Sequence, residues 1–299
     1  MGISRLTMQG SPSPNAQSPA STRLWRPAAQ RNLRNVWSKI VGQKAAWISA
    51  SSKALKVASS LVNAHLSSRY MSTMDLGILK EIDGICDKAQ LKLLHQQEEY
   101  LCKLRSCYKD LVDAVLHMFN ASKSMRTYVK GSAGSPLVEF CNDFGLDGDN
   151  GDGGGLAIFS SLSVQYFENL GEELVEMFVL ELKIKRLLVV EFHSIVFNEA
   201  QEMQPISVMG WSDEIYSGEF DSVKKFTNFY KIDDSTLPSQ LNWLELDQKV
   251  CGVGWSKVHP KREVLQVYLT TWLAEVNIKN SRIEEILSMV QEEMQVTLV

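Results

Sequence analysis

The residues best suited to proton transfer or metal binding are the five histidines, and they lie in different segments of the chain. They are His65, His95, His117, His193 and His259. None belongs to an HExxH or HxxxH pair, which would place two ligands on one helix face. The sequence also has no GxSxG nucleophile elbow and no GxxxxGK[ST] phosphate loop. We therefore predict a protein that is not an enzyme and that uses no metal and no cofactor.

Cysteine usage also argues against catalysis or a structural metal. The chain has an odd number of cysteines and no CxxC pair: Cys86, Cys102, Cys107, Cys141 and Cys251. This pattern is typical of a reducing compartment and excludes a zinc ribbon. We expect Cys102 and Cys107 to be small buried or half-buried residues of a helix.

A run of glycines and aspartates at residues 142–155 resembles a calcium-binding loop at first sight. If the loop starts at Asp147, the obligatory glycine position falls on Asp152 and the bidentate glutamate position falls on Ile158. The aspartates would also repel a phosphate. We predict a flexible acidic linker instead.

Charge is divided unevenly along the chain. Residues 1–74 carry ten Lys and Arg and no acidic residue, whereas residues 75–299 carry 21 basic and 35 acidic residues, a net charge of −14. The ten cations form no compact RNA- or DNA-binding signature, so no specific nucleic acid is expected. The pattern favours a basic helix beside an acidic helical body, as an intramolecular or a partner contact. An organellar transit peptide, for a mitochondrion or plastid, is the alternative.

The first 24 residues are rich in serine and proline, which disfavour helix, and predict a disordered, exposed tail. Ser11, Ser13 and Ser18 each precede a proline and are candidates for phosphorylation by proline-directed kinases, which phosphosite mapping would test. The most apolar run, residues 187–197, contains Glu191 and His193 and is too short to cross a bilayer, so no membrane partner is expected.

Apolar periodicity predicts the first two helices. A helix is expected over about 28–67, with Pro27 in its first turn and a possible break at the Ser-rich residues 49–52. A longer helix is expected over about 86–130 because residues recur at alternating spacings of three and four, as in a coiled coil. These are Leu101, Leu104, Tyr108, Leu111, Val115, Met118, Ser122, Met125 and Val129.

Three further helices complete the predicted fold. One spans about 163–197 with an apolar stripe, Phe167, Leu170, Leu174, Met177, Ile184, Leu188 and Ile195, and with charged residues largely off that face. Another starts near Glu263, and the last starts at Ser281 in a capping-box sequence. Residues 198–262 show no period and predict an irregular insertion, wrapped on the surface or disordered. The expected class is an all-α, elongated bundle of about five helices: a tail (1–24), a coiled-coil region (25–197), the insertion (198–262) and C-terminal helices (263–299).

From Phe159 onward the sequence resembles the cyclin-dependent kinase 2-interacting protein family. The resemblance is carried by residues 159–191, including LVEMF at 174–178 and ELKIKR at 181–186, and by YLTTWL at 268–273. It covers the helices, about two thirds of the chain. Leu162 stands where the family has a tryptophan, and both the insertion and the Ser/Pro tail are additional.

The resemblance implies a nuclear, non-enzymatic adaptor. Family members are associated with cyclin-dependent and replication-origin kinases, with the ATR-interacting protein of the replication checkpoint, and with AAA-ATPase assemblies in replisome turnover and ribosome maturation.

Six residues of the signature are candidates for binding a partner. They are Glu176, Lys185, Arg186, Glu191, Tyr268 and Trp272. Taken singly, the four charged residues are typical of the solvated face of a helix. Taken as a cluster, they are our best candidates for a surface that binds a partner. Tyr268 and Trp272 share one helix face and suit a core better than an interface. Residues 185–188 also match a loose cyclin-docking pattern, although Leu188 on the apolar stripe favours core packing.

Overall fold

The computed structural model describes residues 19–71, 73–127, 157–200, 213–227 and 261–298. These residues form six α-helices: α1 (Pro19–Met71), α2 (Ile85–Lys123), α3 (Val164–Ala200), α4 (Glu219–Thr227), α5 (Arg262–Ala274) and α6 (Asn280–Met294). A short 3-10 helix, Gly77–Glu81, lies between α1 and α2. The described ranges contain no strand, so the all-α prediction is confirmed. The predicted linker at 142–155 and the candidate serines Ser11, Ser13 and Ser18 lie outside these ranges.

α1 and α2 form a long antiparallel hairpin, the most extensive helix pair of the described chain. The side-chain amide of Asn32, near the start of α1, donates to the carbonyl oxygens of Ser124 (2.8 Å) and Met125 (3.1 Å), just after α2. The burial of the predicted stripe is confirmed at all its described members: Leu101, Leu104, Tyr108, Leu111, Val115, Met118, Ser122 and Met125. The predicted end of this helix near residue 130 is wrong, because α2 ends at Lys123 and Met125 lies in the turn that follows it. Val129 lies outside the described residues.

α1 starts earlier than predicted and is unbroken. It begins at Pro19, so part of the predicted tail is helical and Pro27 lies inside the helix rather than in its first turn. The Ser-rich stretch at 49–52 does not interrupt it. Ser51 is buried, and its hydroxyl donates to Glu275 Oε1 at 2.7 Å, so a residue that would weaken an isolated helix has a tertiary partner here.

α3 is the central helix and contacts α1, α2, α5 and α6. Its predicted stripe is buried at six of seven positions, Phe167, Leu170, Leu174, Met177, Leu188 and Ile195, and Ile184 is half-buried. Val175, Phe178 and Phe192, which lie off the stripe, are buried as well. The helix is therefore enclosed on most sides, as is typical of a helix with apolar residues all round.

That enclosure makes one prediction wrong. Lys185 and Arg186 were expected off the buried face, but only 0% and 3% of their surfaces are exposed. Neighbouring elements surround α3 where a single-sided helix would meet water.

α2 and α3 run antiparallel, and ion pairs join the end of α2 to the start of α3. Arg126 Nε lies 2.5 Å from Glu168 Oε1, and Lys123 Nζ lies 2.6 Å from Glu172 Oε1. Gly171 permits close approach, because a Cβ there would lie 2.7 Å from the terminal methyl carbon of Met125. The start of α3 is thereby held against the end of α2.

Part of the predicted irregular insertion is helical. Residues 213–227 include α4, which packs on α2 through Val223 and Phe226. The Phe226 and Phe119 rings meet edge to face at 6.5 Å. At nine residues, α4 is too short for its apolar period to stand out in the sequence. The remaining insertion residues, apart from the end of α3 and residues 261–262, lie outside the described ranges.

The two C-terminal helices begin within one residue of their predicted starts, but the predicted cap is wrong. α6 starts at Asn280, its N-cap is Lys279, and no side chain caps it. Ser281 thus lies inside the helix, where its hydroxyl cannot occupy the N-cap position. α5 ends at Glu275 in a left-handed conformation (φ 44°), which turns the chain toward α6.

Candidate protein-binding site

The six candidate residues do not form one surface. Glu176 is exposed, Lys185 and Arg186 are buried, and Glu191 is half-buried. Trp272 is buried and Tyr268 is half-buried, in accord with the core role favoured for this pair. The structure places the other five, without Glu176, in three separate intramolecular contacts.

The Lys185 cluster comprises Lys185, Glu181, Glu275 and Trp272. Lys185 Nζ lies 3.5 Å from Glu181 Oε1 and 3.5 Å from Glu275 Oε1, and it donates to the main-chain carbonyl of Trp272. It also lies 4.6 Å from the centroid of the Trp272 ring, a cation–π contact. Burial lowers the pKa of Lys185, while the two carboxylates oppose that shift.

Hydrogen bonds tie the Lys185 cluster to α1 and to the turn before α6. Glu275 Oε1 accepts hydrogen bonds from Trp47 Nε1 (3.2 Å) and from the Ser51 hydroxyl (2.7 Å). Glu181 Oε2 accepts from the main-chain N–H of Asn277 at 3.1 Å and from its side-chain amide at 3.2 Å. The cluster therefore joins α1, α3 and α5 at the centre of the bundle.

The Arg186 cluster comprises Arg186, Glu219, Tyr108 and the main chain of residues 213–215. Arg186 Nε donates to Glu219 Oε1 at 2.7 Å, and Arg186 Nη2 donates to the carbonyl oxygen of Asp213 at 2.8 Å. Glu219 also accepts from the Tyr108 hydroxyl (2.8 Å) and from the main-chain N–H of Ile215 (2.6 Å). Burial, with the nearby carboxylate, raises the pKa of Tyr108 far above its ordinary value. This cluster fastens the described part of the insertion to α2 and α3.

Glu191 and Tyr268 form the third contact, between α3 and α5. The Tyr268 hydroxyl donates to Glu191 Oε2 at 3.0 Å, and the Tyr268 ring meets Phe192 edge to face at 6.0 Å. Burial raises the pKa of Glu191 even though the tyrosine hydrogen bond lowers it. Burial also raises the pKa of Tyr268 to about 12.

The loose cyclin-docking pattern at residues 185–188 faces the interior. Lys185, Arg186 and Leu188 are all buried, so a partner cannot reach them in this structure. The core packing favoured for Leu188 is confirmed.

The first residues of the segment that resembles the family, residues 159–162, also make contacts within the bundle. Phe159 stacks edge to face on Phe167 at 5.8 Å, and the Arg34 guanidinium lies 5.1 Å from the Phe159 ring centroid. Leu162 packs against the core, and its main-chain N–H donates to Glu293 Oε1 at 2.8 Å. Phe159 and Leu162 thus pin the chain entering α3 to α1 and α6.

No three His, Cys, Asp or Glu side chains within the described ranges could hold a metal ion. Burial, aided by Arg105, lowers the pKa of His193 to about 4. Burial raises the pKa of the Cys107 thiol. Cys107 is buried as expected, whereas Cys102 is exposed.

Within the described ranges, none of the helices has the length and apolarity needed to cross a bilayer.

The largest exposed apolar feature is at the far end of the α1–α2 hairpin. Six large apolar side chains there are exposed, and we call them the hairpin tip: Tyr70, Met74, Ile78, Leu79, Ile82 and Leu91. Ile78 reaches 79% exposure. Neither the 3-10 helix nor α2 before Gln97 contains a buried residue, so this end of the hairpin has no third layer in the described chain.

A second apolar surface lies along α5. Val264, Val267, Leu273 and Val276 are exposed, Leu273 at 68%. Beside them a groove of about 380 Å³ runs between α1 and α5, with Leu55, Val62, Leu66, Leu269 and Leu273 among its lining residues. The helix buries only Leu265 and Trp272.

Neither apolar surface was predicted from the sequence. The available signal for the hairpin tip was the apolar content of residues 78–85 (ILKEIDGI), which is high for a connection between two helices. Apolar content alone does not separate a buried connection from an exposed one.

The fold defines a class, an all-α helical bundle with an extended hairpin, and no family beyond it. Comparison of the sequence with protein-family models and with curated proteins gives no match. The resemblance to the cyclin-dependent kinase 2-interacting protein family therefore stays a prediction.

Proposed function

We propose that the protein is a non-enzymatic adaptor that binds other proteins through the hairpin tip. The observation that carries the proposal is the exposure of six large apolar side chains at one end of a two-helix hairpin. A concentration of large exposed apolar side chains of this kind marks interaction sites, because water contact with them is unfavourable. Each large side chain that a partner buries fully contributes roughly 1.5–3 kcal/mol before the costs of association.

The two buried charge clusters support a protein in which charged residues hold the fold and exposed apolar residues bind partners. Arg186 and Lys185 stabilise the bundle from within, so the charged signature residues position helices while the apolar surfaces face outward. A rigid helical scaffold that presents apolar groups at one end is suited to docking on helices or grooves of other proteins.

The partners proposed for this adaptor come from the family resemblance. They are a cyclin-dependent kinase, a replication-origin kinase, the ATR-interacting protein, and an AAA-ATPase assembly in replisome turnover or ribosome maturation. The proposed location is the nucleus.

Affinity purification from cells tests the adaptor role and the hairpin tip together. The tagged full chain is compared with the triple variant Ile78→Ser, Leu79→Ser, Ile82→Ser. We expect the full chain to recover one or more of the proposed partners and the triple variant to lose them. Ile48→Ser is the matched control, because Ile48 is 53% exposed on α1 away from the tip and should retain every partner.

Two outcomes would contradict the proposal at different points. Recovery of no kinase, checkpoint protein or AAA-ATPase by the full chain would contradict the adaptor role. Equal recovery by the triple variant would keep the adaptor role and exclude the hairpin tip as its surface.

Localisation is tested with a fluorescent tag at the C-terminus. We expect nuclear fluorescence. Mitochondrial or plastid fluorescence, with a mature N-terminus lacking Ser11 to Ser18 by mass spectrometry, would instead support the organellar alternative.

A further inference from the structure

The exposed side of α1 carries cations and no acidic residue. α1 is 53 residues long and contains no Asp or Glu. Five of its exposed cations, which we call the basic face, lie within about 140° of arc at 100° per residue: Arg31, Arg34, Lys39, Lys53 and Lys56. The opposite side of the helix is buried in the bundle.

The acidic body of the chain does not neutralise the basic face within the described ranges. None of the five side chains forms an ion pair with a described carboxylate. Arg34 Nη2 donates to the carbonyl oxygen of Met294 at 3.3 Å, and its guanidinium also contacts the Phe159 ring, so the other four cations are the freer part of the basic face. Other helices carry carboxylates that can pair with cations of the same helix, as Glu99 does with Lys103 at 2.6 Å and Glu285 with Arg282 at 2.8 Å. α1 has no such carboxylate along its whole length.

Folding alone does not account for this arrangement. Arg31 and Arg34, and likewise Lys53 and Lys56, are spaced three residues apart, where like charges on a helix repel. An external anionic partner would convert that repulsion into attraction.

The spacing of the cations indicates the shape of the partner. Arg31, Arg34 and Lys39 form one group, and Lys53 and Lys56 form another, about 21 Å further along at 1.5 Å per residue. Between them the exposed residues within the arc of the basic face are small, including Gly42, Ala45 and Ser49, and Ile48 lies about 40° outside that arc. Gly42 has open space around it, so the fold itself would accept a side chain there.

We propose that the basic face binds an acidic α-helix of a partner protein, with carboxylates near both ends. A helix can lie closely along the small middle residues while its charged ends meet the two groups of cations. This surface is distinct from the hairpin tip, and the proposal does not depend on the adaptor function.

Other anions fit the basic face less well. A bilayer would require large apolar side chains on the same face, which it lacks. Single-stranded nucleic acid would require exposed aromatic rings for stacking, whereas Trp37 and Trp47 are buried. A duplex presents phosphates continuously, so it would favour cations along the gap between the two groups as well.

The test uses a stapled, alanine-based helical peptide of about 25 residues, the span of the basic face. It carries glutamates at both ends, and a second peptide has glutamine in their place. Fluorescence anisotropy measures binding to the full chain. We expect the glutamate peptide to bind more tightly than the glutamine peptide and to weaken as salt rises, because ions screen exposed charges.

Two variants of equal net charge locate the binding. Arg31→Glu, Lys39→Glu, Lys53→Glu, Lys56→Glu should weaken binding of the glutamate peptide by about tenfold or more. The matched control reverses four exposed lysines elsewhere, Lys88, Lys92, Lys224 and Lys225, and should leave most of the affinity. Circular dichroism confirms that each variant folds, and the corresponding four-glutamine variant of the basic face replaces the reversal if it does not.

Four results would overturn the proposal. One is that the peptide does not distinguish the two reversal variants. A second is tighter binding of a 20-base-pair duplex, which would assign the face to nucleic acid. A third is tighter binding of vesicles with anionic lipid. The fourth is peptide binding that appears only after Asp143, Asp147, Asp149 and Asp152 are changed to Asn, which would assign the face to the chain's own acidic segment.

Discussion

Two consecutive residues of α3 anchor buried charge clusters of different construction. Lys185 brings one ammonium to two carboxylates, Glu181 and Glu275, and lies against the Trp272 ring. Arg186 is matched to one carboxylate, Glu219, whose oxygens are also satisfied by a tyrosine hydroxyl and a main-chain N–H. The first joins long helices at the centre of the bundle, and the second fastens a short segment to it.

The difference shows why charge at adjacent positions can have different structural consequences. A flexible ammonium can serve two carboxylates from different elements, whereas the planar guanidinium reaches a side chain and a main-chain carbonyl in fixed directions. If the Arg186 cluster is broken, residues 213–227 can separate and return Glu219 to water. If the Lys185 cluster is broken, Glu181 cannot reach water without opening the bundle.

Lys185→Met is expected to have the largest effect. It leaves Glu181 and the partly buried Glu275 without their cation, and removing one partner of a buried ion pair costs about 3–5 kcal/mol. Urea unfolding followed by circular dichroism measures the free energy of unfolding. The exposed control Lys88→Met should change it little. A change as small as the control's would show that the cluster does not stabilise the bundle.

Arg186→Met should cost less, about 2–3 kcal/mol, because Glu219 can escape burial by local separation. The same urea experiment measures the loss, with Lys225→Met as the exposed control within α4. If Arg186→Met lost more unfolding free energy than Lys185→Met, the Arg186 cluster would be the more important of the two for stability, contrary to this prediction.

A pH series separates both clusters from a third ionisable residue of α3. The pKa of His193 is about 4 when folded and 6.5 in the unfolded chain, so its neutral form is favoured by folding. Its contribution is complete above pH 6.5 and is lost as the pH falls toward 4, about 3 kcal/mol in all. His193→Gln should flatten the stability curve of the full chain over that window. An unchanged slope of the unfolding free energy against pH would show that His193 does not cause the pH dependence.

Two tyrosine substitutions should have the smallest effects. Tyr108→Phe removes a hydrogen bond to buried Glu219, and Tyr268→Phe removes one to half-buried Glu191. Each should cost about 1–2 kcal/mol, with Tyr108→Phe the larger because its partner is fully buried. Thermal unfolding of the two variants side by side shows which loses more stability. A larger loss for Tyr268→Phe would contradict the expectation that burial of the carboxylate sets the size of the loss.

The sequence predicted the parts of the fold that depend on local periodicity. The stripe from Leu101 to Met125 shows its helix because neighbours three and four residues apart share a face. Burial of Lys185 and Arg186 could not be predicted that way. It depends on Glu275 and Glu219, which come from distant positions and whose pairing is set by the tertiary fold.

The continuity of α1 through residues 49–52 and the helix within the insertion were missed for a related reason. Serine is unfavourable in isolated helices, yet Ser51 gains a tertiary partner in Glu275. α4 is too short to show a period and is held by Arg186 and the α2 surface.

The Lys185 cluster should hold the long helices of the bundle together, and the Arg186 cluster should hold only residues 213–227. Hydrogen exchange measured by mass spectrometry on Lys185→Met and Arg186→Met tests this difference most directly, because it reports where each cluster acts. Loss of Arg186 should accelerate exchange in residues 213–227 and leave α1 and α5 protected. Loss of Lys185 should accelerate exchange in α1, α3 and α5 together. The same pattern in both variants, or faster exchange confined to residues 213–227 after loss of Lys185, would contradict it.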